Sequence, residues 1–179
     1  MQNHDQYDNF KSGYVAIAGT PNAGKSTLLN RMLGEKISIT SEKPQTTRNR
    51  ILGVLHRPGV QIVFFDTPGV FEAKDSLNVR IVDAALAAVG DADLILVVVD
   101  VAQSNPNADR FLVKQLRSQT KPVVLALNKI DLVDKSILLQ AIEKWSKTFP
   151  FEDLVPISAK KGDQIDELIS PLSGSPLRH

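Results

Sequence analysis

The hydrophobic pattern of this chain changes period repeatedly. Short β-rich runs at Tyr14–Ala18, Ile51–His56, Gln61–Phe65, Leu94–Val99, Val123–Leu127 and Leu154–Ile157 alternate with stretches of helical spacing. That alternation predicts an α/β domain built on a mostly parallel six-stranded sheet, with helices on both faces. The runs 94–99 and 123–127 are apolar at every position, as central strands buried on both faces are. Only Arg57-Pro58-Gly59-Val60 separates the second run from the third. This is too short for a crossover helix, so the two are expected to form an antiparallel hairpin at the sheet edge. Helical signals are clearest in three places. Ser76–Val89 aligns Leu77, Ile81, Val82, Ala85, Leu86 and Val89 on one face. Asn105-Pro106 reads as an N-cap followed by proline at the first helical position, and Asp163–Ser170 suggests a short helix.

Composition narrows the function classes. With 179 residues, 42% of them hydrophobic, the chain can bury a core without disulfides or a structural metal, and its lack of cysteine excludes thiol chemistry and Cys-ligated zinc. A net charge of +1 with interspersed signs leaves no electrostatic footprint for nucleic acid, so no direct nucleic-acid binding is expected of these residues. The longest apolar run is closed by Asp93 and Asp100, far short of the roughly 20 residues a membrane span needs. The polar first twelve residues lack the apolar core of a secretory signal. A cytoplasmic protein is expected, organised as a polar tail (1–12), one domain (13–170) and a breaker-rich stretch (171–179) resembling an inter-domain linker cut short.

The chemistry lies in the loops after the strands. Gly19-Thr-Pro-Asn-Ala-Gly-Lys-Ser26 follows the first strand and opens a helix containing Leu28, Leu29 and Met32, the context of a phosphate-binding loop. Its glycines let the main chain curl so that the N–H groups of Asn22, Ala23, Gly24, Lys25, Ser26 and Thr27 converge on an anion. The Lys25 charge and the helix dipole add to the attraction. After the third run comes Asp66-Thr67-Pro68-Gly69, a carboxylate at a strand's C-terminal edge, where sheet ligands bind. Magnesium prefers hard oxygen ligands and retains waters, so Ser26 directly, Asp66 through water, and phosphate oxygens form a coherent site.

Asn128-Lys129-Ile130-Asp131 follows another apolar run. A carboxylate at Asp131 can accept hydrogen bonds from guanine's ring N–H and exocyclic amine, neither of which adenine offers there. Leaving it unpaired with the wrong base can discriminate by up to ~10⁴-fold. Asn128 is expected to touch the base and nearby loops, and the Lys129 stem to cover the ring. Ser158-Ala159-Lys160 supplies an amide N–H for the guanine carbonyl and a second stem. A phosphate-loop ATPase or small-molecule kinase would have no need of Asn128–Asp131. A module binding GTP without turning it over would have no need of the full set Lys25, Ser26 and Asp66.

This ordered set resembles a translation-factor-class GTPase and spans Gly19 to Lys160. Together with Pro44-Gln-Thr-Thr-Arg48-Asn-Arg-Ile-Leu-Gly53 and Phe65-Asp-Thr-Pro-Gly-Val-Phe71, it is similar to the Era family of bacterial ribosome-assembly GTPases. The tRNA-modification GTPase MnmE and the ribosome-biogenesis GTPase Der usually carry aspartate where this chain has Asn49, which favours the Era family. The resemblance implies a three-layer P-loop NTPase fold of the Ras-like kind, with GTP and GDP as substrate and product and Mg2+ as cofactor. It implies a first switch at Gln45–Ile51, where Thr47, or alternatively Thr46, gives a hydroxyl to magnesium, and a second from Asp66 to about Asn78. Asn22, Lys25, Thr47 and Gly69 are the implied catalytic group. Val70 stands where Ras-type enzymes place a water-orienting glutamine. Asn22 matches an asparagine that helps bind K+ in MnmE-like relatives, so potassium-assisted hydrolysis is one expectation and an arginine acting in cis, Arg48 or Arg50, the other. The family also carries a C-terminal KH domain that binds ribosomal RNA. That implies a small-subunit or 16S rRNA partner, and leaves room for peripheral membrane association, for a longer protein.

Overall fold

The structure, a computed structural model, describes residues 10–34, 51–67, 89–174 and 177. Six strands form one sheet: β1 (Lys11–Gly19), β2 (Ile51–Arg57), β3 (Val60–Asp66), β4 (Leu94–Asp100), β5 (Val123–Asn128) and β6 (Asp153–Pro156). Their order is β2-β3-β1-β4-β5-β6, parallel throughout except that β2 runs antiparallel to β3 at the edge. The described helices are α1 (Lys25–Leu33), α2 (Pro106–Arg117), α3 (Lys135–Thr148) and α4 (Ile165–Leu172).

Alternation along β4 explains the three layers. Leu94, Leu96 and Val98 face one core with Leu28 and Met32 of α1 and Leu168 of α4, while Ile95, Val97 and Val99 face a second core with Leu112 and Leu116 of α2 and Trp145 of α3. Burial of each such side chain is worth about 1.5–3 kcal/mol. A strand apolar at every position is therefore most stable in the middle of the sheet. The start of α2 follows its sequence signal: Asn105 Oδ1 accepts the Ala108 N–H at 3.1 Å, and Pro106 is the first helical residue.

The chain ends depart from expectation. β1 begins at Lys11, inside the stretch read as a polar tail, because Lys11 and Ser12 pair through their backbones with Val60 and Gln61, a register that does not require apolar side chains. The stretch read as a linker from 171 is partly core. α4 continues through Pro171 to Leu172, which is fully buried, and Leu177 is buried as well. Proline at 171 removes one hydrogen bond in the last turn, but Ile165, Leu168, Ile169 and Leu172 form one apolar stripe, and burying Leu172 offsets that loss. The expected helix at Ser76–Val89 lies outside the described residues except for the buried Val89.

Candidate functional site

The C-terminal ends of the parallel strands converge on one edge, and the strand order reverses around β1, the position where open α/β sheets bind ligands. There β1 ends at Gly19 and the loop curls tightly into α1. Ala23 N–H donates to Thr20 O at 3.2 Å and Leu28 N–H to Gly24 O at 2.9 Å. Asn22 and Gly24 adopt left-handed backbone, at φ 59° and 94°. Gly24 is the N-cap of α1 and offers no side chain to its first-turn N–H groups, which suits an anion at that end. A Cβ at Gly24 would collide with the Asn128 amide, so the position is restricted by contact as well as by φ.

Asn128 ends β5 and is only 2% exposed. Its Nδ2 donates to Ala23 O at 2.8 Å and its Oδ1 accepts the Ala159 N–H at 3.0 Å, tying the phosphate loop to the loop after β6. Lys129, also left-handed at φ 70°, reaches back so that Nζ donates to Asn22 O at 2.8 Å and to Asp100 Oδ2 at 2.6 Å. Asp131 lies in the 3-10 turn Ile130–Leu132, and its Oδ1 accepts the Ser158 hydroxyl at 2.7 Å. That hydrogen bond, helped by the charges of Lys161 and Lys160 against the cost of desolvation, holds the Asp131 carboxyl below its ordinary 3.8. It is therefore an acceptor-only group at neutral pH.

Gly24, Thr27, Asn128, Lys129, Asp131, Leu132 and Lys160 enclose a cavity of about 440 Å³, the size of a small-ligand site. A larger groove of about 550 Å³ between α2 and α3, beside Val113 and Trp145, contains none of the motif residues. Asp66 ends β3 in register with Ile17 of β1, and Thr67 Oγ1 donates to Ile17 O at 2.9 Å, which fixes this carboxylate beside the strand that feeds the phosphate loop. Ser26 is exposed on the first turn of α1. The structure thus gathers Asn22, Ala23, Gly24, Thr27, Asn128, Lys129, Asp131, Ser158, Ala159 and Lys160 through contacts or a shared cavity, with Lys25, Ser26 and Asp66 on adjoining elements. Thr47, Gly69, Val70, the first expected switch apart from Ile51, and the second beyond Thr67 lie outside the described residues.

Two participants were not anticipated from sequence. Asp100 orients Lys129. Its signal was available, since it closes the most apolar strand just as Asp66 and Asn128 close theirs. Arg31 donates from Nε to Ala159 O at 3.0 Å and from its guanidinium to Lys160 O. No local pattern marks it.

A family profile described as 50S ribosome-binding GTPase matches residues 14–129. The chain is 49% identical over 160 residues to GTPase Era of Geobacter metallireducens, an alignment covering 89% of this chain and 54% of that relative. Era of Aquifex aeolicus bound to GDP and AlF4- superposes with a TM-score of 0.75 at 41% identity, covering 95% of this chain and 58% of that one. Era in complex with MgGDPNP and nucleotides 1506–1542 of 16S ribosomal RNA gives 0.76 and 41%, with the same coverage. The chain therefore spans little more than half the length of these relatives.

Proposed function

The chain belongs to the 50S ribosome-binding GTPase family, and on that premise we propose that it binds guanine nucleotides between the phosphate loop and Asp131 and hydrolyses GTP to GDP and phosphate. The observation that carries this reading is the Asn128 side chain, which bonds the phosphate loop on one side and the 158–160 loop on the other, so that base and phosphate sites form one unit. Asp131, whose carboxylate form the Ser158 hydroxyl favours, accepts from the guanine ring N–H and exocyclic amine, and the Lys129 and Lys160 stems cover the ring.

At the phosphates, the loop amides and Lys25 bind the negative charge. Ser26, Thr47 and Asp66 would hold Mg2+, and the fit is supported by their hard oxygens and by the place of Asp66 at the end of β3, next to β1. When bound, the metal neutralises phosphate oxygens. A water then attacks the terminal phosphorus as the bond to the bridging oxygen breaks. The amide of Gly69 belongs to this catalytic group, and Val70 supplies no water-orienting group, so we assign Asn22 to a K+ site beside the phosphates. Its left-handed backbone and the Lys129 bond to its carbonyl support a preorganised position.

Similarity to the Era–16S rRNA complex supports a small-subunit role for a longer protein. By the family resemblance, RNA contact is assigned to a C-terminal KH domain of the longer protein. The deciding experiment is nucleotide competition with Asp131→Asn, expected to shift preference from guanine to xanthine nucleotides; unchanged preference would sink the reading. Turnover in potassium should exceed that in sodium at equal ionic strength, and equal rates would remove the K+ assignment.

A further inference from the structure

The turn Ser158–Asp163 accounts for its own amides with one exception. Ser158 N–H donates to Asp163 O, and Gly162 and Asp163 N–H both donate to Ser158 O. Lys161 N–H donates to Ser158 Oγ and Ala159 N–H to Asn128 Oδ1. Among the described residues, only the Lys160 N–H in this turn lacks a protein acceptor, and Lys160 lines the base cavity. The carbonyls flanking that N–H, those of Ala159 and Lys160, are both taken by Arg31. Gly162 closes the turn with φ 81°, and a Cβ there would lie 3.6 Å from Cδ, Nε and Cζ of Arg31, so the guanidinium is packed against the turn as well as bonded to it.

We infer that Arg31 is a positioning residue for base specificity: it holds the Ala159 and Lys160 carbonyls so that the Lys160 N–H points at the 6-oxo group of guanine. This rests on the guanine reading above and adds to it the residue that aims the amide. A planar fork can grip two successive carbonyls at once, whereas a lysine ammonium is a single point and cannot fix a peptide plane in the same way. Leu28, Leu29 and Met32 bury the rest of α1, so the fork is mounted on a helix anchored in the core.

The test measures equilibrium binding of GDP, 6-thio-GDP and IDP to the 179-residue chain and to Arg31→Ala and Arg31→Lys. Sulfur is a poor acceptor, so the GDP to 6-thio-GDP ratio reads the Lys160 amide. IDP lacks only the exocyclic amine, so the GDP to IDP ratio reads Asp131. The parent is expected to prefer GDP over 6-thio-GDP by about tenfold, the value of one buried hydrogen bond. Arg31→Ala should bring that ratio within about twofold while leaving the GDP to IDP ratio unchanged, and Arg31→Lys should fall between the two. Equal weakening of all three nucleotides, or an unaltered 6-thio ratio, would overturn the inference. A parent with no preference for GDP over IDP would overturn the guanine reading itself. Should Arg31→Ala not fold, Arg31→Lys carries the comparison, and a parent-like 6-thio ratio in it counts against the inference.

Discussion

Replacing Asn128 with alanine tests whether the base and phosphate sites are one mechanical unit before any nucleotide arrives. The substitution removes the acceptor for Ala159 N–H and the donor to Ala23 O, and both alanines are essentially without solvent exposure. A buried polar group left without a partner costs about 1–3 kcal/mol, so two orphans cost about 2–4 kcal/mol if the vacated space lets part of the loss be recovered. For a chain of this size that corresponds to a fall in Tm of about 4–16 °C. The assay is thermal unfolding of nucleotide-free protein, followed by circular dichroism. Asn128→Asp keeps an acceptor for Ala159 but sets a carboxylate against the Ala23 carbonyl, and a protonated carboxyl could donate there again. Its deficit should shrink as pH falls. If nucleotide-free Asn128→Ala melts within about 2 °C of the parent while losing guanine binding, Asn128 is a base contact only and the staple argument fails.

Other consequences follow from the same geometry. Because Asp131 sits below its ordinary value, its contribution to guanine binding is present at neutral pH and is lost only as pH falls through that depressed value. Ser158→Ala removes the leading cause, so the loss should move to higher pH in a titration of GDP affinity, and an unmoved midpoint would contradict the assignment. Gly24→Ala meets both an unfavourable φ and the Asn128 amide, and isothermal titration should find nucleotide binding reduced at least tenfold, about the effect of 1.4 kcal/mol. Lys129→Met leaves the nearly buried Asp100 carboxylate without its cation and should cost about 1–2 kcal/mol in urea unfolding. Adding Asp100→Asn should recover much of it, and no recovery would mean the pair is not what Lys129 stabilises.

Most of the fold was legible because its signals are local. The all-apolar runs at 94–99 and 123–127 could be stable only as central strands, and the four-residue gap at 57–60 left no connection but a hairpin. Asn105-Pro106 states a helix start in two residues. In the candidate site, the loop at 19–26 and the residues 128–131 carry their expected chemistry in their own spacing, and the structure brings the two segments together. Boundaries were less legible where backbone pairing or a distant apolar partner outweighed a local breaker, as at Lys11, Pro171 and Leu177.

The amino-acid sequence by itself determined the glycine-rich loop at 19–26, the carboxylate at Asp131 assigned here to the base, and the strands that carry them, because each depends on residues adjacent in the chain. Only the tertiary structure decided how those parts hold one another. Asn128 meets Ala23 across 105 residues, and Arg31 meets Ala159 across 128. These contacts arise from the order in which parallel strands lie beside one another, and hydrophobic period says which face a residue takes but not which strand becomes its neighbour.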